Sequence, residues 1–164
     1  MPSDAVLYQA AALCLTYPDD DLVARLPLIR EAAPQLREFT DHAAVTPLSE
    51  LAAHYVRVFD FQNRHSLYLS WWRDGDTRRR GMSLVRFKEL YRQHGLEFCD
   101  EELPDFLPAV LEFTARTGST DLLTGHRDVL VELRTRLTDF GTPYASVLGA
   151  VCAALPPART RRRP

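Results

Sequence analysis

The stretch TPLSELAAHYVRVF, residues 46–59, decides the fold class because its apolar residues recur at intervals of three and four. Thr46 and Pro47 offer a capping side chain followed by a proline at the first helical position, a common start for a helix. The polar residues Glu50, His54 and Arg57 fall on the opposite face. The apolar face consists of Leu48, Leu51, Ala52, Tyr55, Val58 and Phe59. This stretch therefore predicts an amphipathic helix that packs against a core by one face.

The same helical spacing covers most of the chain. Prolines and glycines mark the helix ends, and Pro27 is expected to kink or shorten the second helix. The predicted ranges are 3–17, 19–29, 35–44, 46–59, 76–94, 101–117, 120–139 and 142–155. The sequence thus predicts an all-α protein, a single-domain helical bundle of seven to eight helices over residues 1–156, followed by a basic, disordered tail at 157–164.

Residues 60–75 interrupt the helical period. Their aromatic run SLYLSWW, residues 66–72, has the composition of a strand. No second convincing strand is available to pair with it, and a lone strand leaves backbone groups unsatisfied, so we expect an irregular segment or a short helix. Successive side chains diverge, so Trp71 and Trp72 either pack in the core or leave one ring at a groove or an interface.

Composition limits the functional classes. Apolar residues make up 46% and charged residues 26% of the 164 residues, as in an ordinary globular domain. The net charge of -2 argues against a protein whose main role is to neutralise nucleic-acid phosphates. The three cysteines are odd in number and far apart, which suits neither a disulfide framework nor a metal site. An acidic N-terminus and the lack of a long apolar run predict a cytoplasmic protein.

Motifs for catalysis are weak. No two histidines share a helical face, although a metal site assembled across helices stays open. His65 and Ser66 lie near Asp60 without the elbow of a hydrolase. Asp105 and Glu112, two turns apart on one predicted helix face, could form an acid–base pair or a solvated acidic face. We therefore expect no catalytic residues, no bound metal and no cofactor.

Five ordered segments resemble the NarJ-type chaperones of respiratory nitrate reductase, within the wider TorD/DmsD-like family of redox enzyme maturation chaperones. The segments are His54–Asp60, Ser66–Leu69, Gly75–Met82, Leu84–Tyr91 and Glu102–Phe113. The resemblance implies a TorD-like bundle. It also implies a chaperone that binds the catalytic (alpha) subunit through its N-terminal leader in the cytoplasm, assists insertion of the molybdenum cofactor and iron–sulfur cluster, and leaves before membrane docking. Phe106 stands where the wider class often has a histidine, so no role for an imidazole is implied there.

A chaperone for a basic leader needs an apolar groove and carboxylates, the requirements of helix-in-groove recognition. Within the matched segments, the carboxylates are Asp60, Asp76, Asp105 and Glu112, the apolar walls are Tyr55, Phe59, Tyr68, Phe87 and Leu111, and Arg78 completes the predicted site. Glu89 is expected to face solvent outside the site. The alternative is a helical nucleic-acid-binding regulator that uses Arg78–Arg80 and the basic tail.

Overall fold

The computed structural model describes residues 4–75, 77–98 and 102–157, and within these ranges the chain forms α-helices, one short 3-10 helix and no strand. The α-helices are α1 (Asp4–Cys14), α2 (Asp20–Ala32), α3 (Arg37–Ala44), α4 (Leu48–Phe59), α5 (Trp71–Asp74), α6 (Arg78–Gln93), α7 (Leu107–Thr117), α8 (Asp121–Gly125), α9 (Arg127–Phe140) and α10 (Tyr144–Ala154), and the 3-10 helix is Pro34–Leu36. The all-α prediction is confirmed, but the described residues form ten α-helices instead of the seven to eight expected. None of these helices is both long and apolar enough to cross a membrane.

The core lies between α1 and the helices around it. Helix α1 packs mainly against α7 and also against α2 and α10, while α9 packs along α10. Large side chains that are almost completely buried fill the space between these helices. They include Leu15, Phe39, Leu51, Leu111, Leu130 and Tyr144. Burying one such side chain stabilises the fold by about 1.5–3 kcal/mol. Most of the buried residues belong to the apolar helix faces that the sequence predicts.

Helix α2 is longer than the sequence predicts. The Asp19 carboxylate accepts from the backbone N–H of Leu22 at 2.8 Å and caps its first turn. Pro27 is exposed and the helix continues through it to Ala32, so of the two expected effects, a kink or a shortening, the shortening is wrong. Leu26 and Ile29 on either side of the proline are buried, and their burial offsets the one backbone hydrogen bond that it removes.

The predicted long helix at 120–139 is two helices, which is a correction to the sequence prediction. The break lies at His126, whose backbone leaves the helical region with φ -116° and ψ 23°. Arg73 donates to the Gly125 carbonyl at 2.7 Å and to the Asp128 carboxylate at 2.6 Å. Gly125 is a weak helix former, and Arg73 supplies a partner for the carbonyl at the break, so two short helices replace one long one.

Helix α7 begins at Leu107 and not near residue 101. Pro104 disfavours helical geometry at the residue before it, and Asp100 and Glu101, the predicted helix start, lie outside the described residues. The backbone before α7 pairs instead with the aromatic run: Leu69 N–H donates to the Asp105 carbonyl at 3.0 Å and Leu107 N–H to the Leu67 carbonyl at 2.8 Å. These bonds form an isolated antiparallel bridge between Tyr68 and Phe106. The aromatic run thus finds hydrogen-bond partners for its backbone in residues 105–107, a pairing that the sequence pattern does not predict.

Candidate functional site

The bridge brings two distant motif segments together around a buried carboxylate. Asp105 has no exposed surface, and its Oδ2 accepts from the backbone N–H of Ser70 at 3.1 Å and from the Ser70 hydroxyl at 2.6 Å. The Arg80 guanidinium lies 3.8 Å from the same oxygen. Within the described residues Oδ1 of Asp105 has no hydrogen-bond partner. Asp105 therefore ties the start of α7 to the segment before α5.

A groove of about 320 Å³ lies on the outer side of this bridge. We call it the aromatic groove, and it is lined by Thr16, Tyr17, Tyr55, Phe59, Asp60, Leu67, Tyr68, Glu102 and Phe106. The last turn of α4 supplies Tyr55 and Phe59, and the bridge supplies Tyr68 and Phe106. Four residues of the predicted site, Tyr55, Phe59, Asp60 and Tyr68, thus meet in one place.

The aromatic rings of the groove support one another. Tyr17 meets Tyr55 edge to face with ring centroids 5.7 Å apart, and Tyr55 lies 4.9 Å from Phe59. Tyr68 and Phe106 pack at 5.2 Å across the bridge. Tyr17 is 56% exposed and Tyr68 half-buried, so ring surface remains available to a ligand. Such rigid rings give large contact areas at little cost in conformational entropy.

The polar edge of the groove is acidic. The Tyr68 hydroxyl donates to Glu102 Oε1 at 2.8 Å, and burial, reinforced by this bond, raises the pKa of Tyr68 well above its ordinary value. Tyr68 therefore stays a neutral donor. Arg80 lies over the Tyr68 ring, 5.6 Å from its centroid.

Asp60 lies at the carboxyl end of α4, as the residue that caps that helix. A negative charge there opposes the helix dipole, and Asp60 is exposed without an ion-pair partner in the described ranges. A bound cation would satisfy both the carboxylate and the helix end. The groove is therefore suited to a ligand that joins apolar surface to positive charge.

Other residues of the predicted site lie elsewhere. Phe87 lines a second cleft, of about 440 Å³. Glu89, which is expected to face solvent, is exposed and lines the same cleft. Glu112 lines a third cleft of about 240 Å³ and pairs with Arg116 at 3.0 Å. Leu111 belongs to the core.

The expectation that Asp105 and Glu112 share a helix face is wrong, because Asp105 precedes the helix and is buried. Asp76 lies outside the described residues. Arg78 is exposed at the start of α6, whereas Arg80 points inward to Asp105 and Tyr68. The run Arg78–Arg80 is thus divided between surface and interior, which weakens its use as a nucleic-acid contact.

Sequence reasoning missed five residues of the groove: Thr16, Tyr17, Leu67, Glu102 and Phe106. The sequence predicts a first helix that extends to residue 17, but α1 ends at Cys14 and leaves Tyr17 exposed. Glu102 and Phe106 lie inside the last matched segment, so their proximity to Tyr68 could have been found only by pairing that segment with residues 66–69. A lone bridge leaves no periodic signal in the sequence.

The described residues contain no group of three metal-ligating side chains. His65 is buried, with Nδ1 2.9 Å from the Val58 carbonyl and its ring 5.2 Å from Phe140, while the Ser66 hydroxyl accepts from the backbone N–H of Tyr68. His65 and Ser66 therefore serve the loop in which they lie. The arrangement in the groove can bind and orient a ligand.

The fold is that of a known class of helical proteins. It superimposes on the crystal structure of a protein from Archaeoglobus fulgidus described as a redox enzyme maturation protein, with a TM-score of 0.76 at 22% identity, over 92% of this chain and 93% of that one. This likeness defines the fold alone. Residues 26–148 match the family described as nitrate reductase delta subunit, and the chain belongs to that family. The family resemblance drawn from the five segments is confirmed.

Three relatives illustrate the range of the family. The chain is 33% identical over 163 residues to "Probable nitrate reductase molybdenum cofactor assembly chaperone NarJ" of Bacillus subtilis, covering 92% of this chain and 88% of that protein. It is 34% identical over 108 residues to the Escherichia coli K12 chaperone NarJ, covering 64% and 45%. Nitrate reductase-like protein NarX of Mycobacterium tuberculosis H37Rv is 37% identical over 158 residues, and this chain spans 24% of its length.

Proposed function

We propose that this chain is a system-specific chaperone for a respiratory nitrate reductase. It binds the catalytic subunit in the cytoplasm and assists insertion of the molybdenum cofactor and the iron–sulfur cluster before the complex docks at the membrane. Membership of the nitrate reductase delta subunit family supports this role, as do the names of the Bacillus subtilis and Escherichia coli relatives. The cofactor and the cluster belong to the client, and the chain acts by binding.

The aromatic groove is the observation that carries the proposal. A client leader that folds as a basic amphipathic helix places its apolar side on Tyr17, Tyr68 and Phe106, which buried Tyr55 and Phe59 support from below. Its positive charges meet Asp60, which already lies at the negative end of α4, and Glu102. The available ring surface supplies contact area, and the carboxylates fix the direction of the peptide.

Calorimetry with a peptide from the N-terminus of the catalytic subunit tests this mechanism. Asp60→Lys should weaken binding at least about tenfold, or about 1.4 kcal/mol, because an attraction at the groove becomes a repulsion. Glu31→Lys is the matched control: Glu31 is exposed on α2 and does not line the groove. Equal affinities of the two folded variants would remove the groove from the peptide site.

A second experiment separates the site from the role. Chaperone recovered from cells that make the nitrate reductase should carry the catalytic subunit, and cells without the chaperone should accumulate that subunit lacking molybdenum. If the subunit is recovered but the peptide does not bind, the leader mechanism fails and the chaperone role stands. If neither associates, the chaperone role itself fails.

A further inference from the structure

Helix α6 has two different faces. Phe87 and Tyr91 are buried on its inner side. The outer side carries Arg78, Arg79, Met82, Val85, Arg86 and Arg92, which are all exposed and lie within one half of the helix circumference at 3.6 residues per turn. We call this set the outer face of α6. None of its residues lines the aromatic groove, and Arg86 also lines the cleft of about 440 Å³.

The outer face concentrates positive charge on a chain whose formal net charge is -2. It holds four arginines, and Glu89 is the acidic residue among them within α6. None of the four arginines forms an ion pair in the described part of the chain. Arg78 and Arg79 also lie in the first turn of the helix, where the helix dipole disfavours cations. Internal stability therefore does not explain these arginines.

Two apolar side chains lie near the centre of the same face, with Glu89 one turn beyond them. Met82 is 59% and Val85 54% exposed. Exposed arginines beside exposed apolar side chains suit a membrane interface, where cations meet the headgroups and apolar side chains reach the acyl boundary. Nucleic-acid phosphates would satisfy the arginines but leave Met82 and Val85 without a partner.

We propose that the outer face of α6 docks on an anionic phospholipid surface. Arg78, Arg79, Arg86 and Arg92 contact headgroup phosphates, and Met82 with Val85 enter the interface without spanning it. The contact is peripheral and reversible, since four cations and two apolar side chains give only modest affinity. It would hold the protein beside a membrane while the groove stays free for its own ligand.

Vesicle co-sedimentation of the full chain tests the proposal. Vesicles of phosphatidylcholine with phosphatidylglycerol should retain the protein at low salt, and vesicles of phosphatidylcholine alone should not. Arg78→Glu with Arg86→Glu should weaken retention at least about tenfold, because two attractions become repulsions. Arg25→Glu with Arg37→Glu makes the same change in net charge on exposed residues of α2 and α3 and should keep most of the binding.

A second pair of variants identifies the ligand class. Met82→Ser with Val85→Ser should weaken retention by anionic vesicles and leave any binding to duplex DNA unchanged. Equal retention by both kinds of vesicle, or equal losses in the two arginine pairs, would overturn the proposal. Binding to duplex DNA without binding to vesicles would assign the face to nucleic acid instead. Helicity and melting temperature of each variant establish that it is folded.

Discussion

Asp105 holds Ser70 through a single carboxylate oxygen, since Oδ2 accepts both the backbone N–H and the hydroxyl of that serine, at 3.1 and 2.6 Å. Arg80 approaches the same oxygen at 3.8 Å. The Asp105 side chain has no contact with solvent. The carboxylate is consequently a structural tie between segments 35 residues apart in sequence, and charge reversal there would test folding and not ligand binding.

The first prediction concerns this tie. Asp105→Ala should lower the free energy of unfolding by about 3–5 kcal/mol, because it leaves two buried donors and a half-buried guanidinium without their acceptor. Urea unfolding measures the change. Glu112→Ala is the control, since its pair with Arg116 is largely exposed and worth about 0–1 kcal/mol. Similar small losses in both variants would contradict the structural role of Asp105.

The second prediction concerns Tyr17 in the aromatic groove. Tyr17→Ala should weaken binding of the client peptide about tenfold while changing the melting temperature little, because the ring is more exposed than buried and contributes mostly contact area. Leu28→Ala removes another exposed apolar side chain, on α2 and outside the groove, and should leave affinity unchanged. A loss of affinity in Leu28→Ala as large as in Tyr17→Ala would show that the effect is not local.

The third prediction concerns pH. Burial lowers the pKa of His54, with a further contribution from Arg57, and burial also lowers the pKa of His126. As the pH falls from about 7 to about 5, the unfolded imidazoles take up protons before the folded ones do, so proton uptake favours the unfolded state. The two neutral histidines therefore contribute fully to the free energy of unfolding above the ordinary histidine pKa, and this contribution is lost as the pH falls.

Urea unfolding at these two pH values checks the sign. The wild type should lose stability on acidification, and the double variant His54→Gln with His126→Gln should lose less over the same interval. Only the difference between the two pH values matters, because the substitutions also alter packing against Tyr144 and Phe87. A double variant with an unchanged or larger loss would show that other groups set the acid sensitivity.

The fourth prediction contrasts two glycines. Gly141 ends α9 with φ +85°, where a side chain strains the backbone, so Gly141→Ala should destabilise the fold by about 1 kcal/mol. Gly149 lies inside α10, and a Cβ added there meets the Arg134 side chain at 3.5 Å, an ordinary contact. Gly149→Ala should stabilise by roughly 0.5–1 kcal/mol through helix propensity. Thermal unfolding measures whether each variant is more or less stable than the wild type. A change in the same direction in both variants would contradict this account.

The sequence predicted the fold well wherever a helix has one apolar face. Its failures follow from contacts between distant segments. Thr46 was predicted to cap α4, but its hydroxyl donates to the His42 carbonyl at 2.6 Å and closes α3 instead. In the same Thr-Pro pattern, the Thr142 hydroxyl accepts from the Tyr144 N–H at 3.3 Å at the start of α10. Identical dipeptides thus act on opposite neighbours, and only the surrounding packing decides which.

The candidate site shows the same limit. Tyr55, Phe59 and Asp60 share one helix end, so their proximity follows from helical spacing. Tyr68 joins them through the bridge to Phe106, which depends on two backbone hydrogen bonds and leaves no repeat in the sequence. Phe87 and Glu112 were grouped with them because they lie in matched segments. The order of matched segments along the chain indicates which segments belong to the family pattern. It does not predict which of their side chains lie together in the groove.

The packing of α1 has a consequence for biosynthesis. This helix lies against α7 and α10, and the Tyr8 hydroxyl donates to the Ala154 carbonyl at 3.3 Å. A ribosome makes α1 long before either of those partners, so only its contact with α2 can form early, and the surface that faces α7 and α10 stays uncovered while the middle of the chain is translated. Docking of α1 on α10 must therefore wait for the last helix, and because it brings together residues far apart in the chain, it is expected to be slower than the local contacts. Until that docking, the nascent protein exposes the kind of surface that cellular quality control recognises.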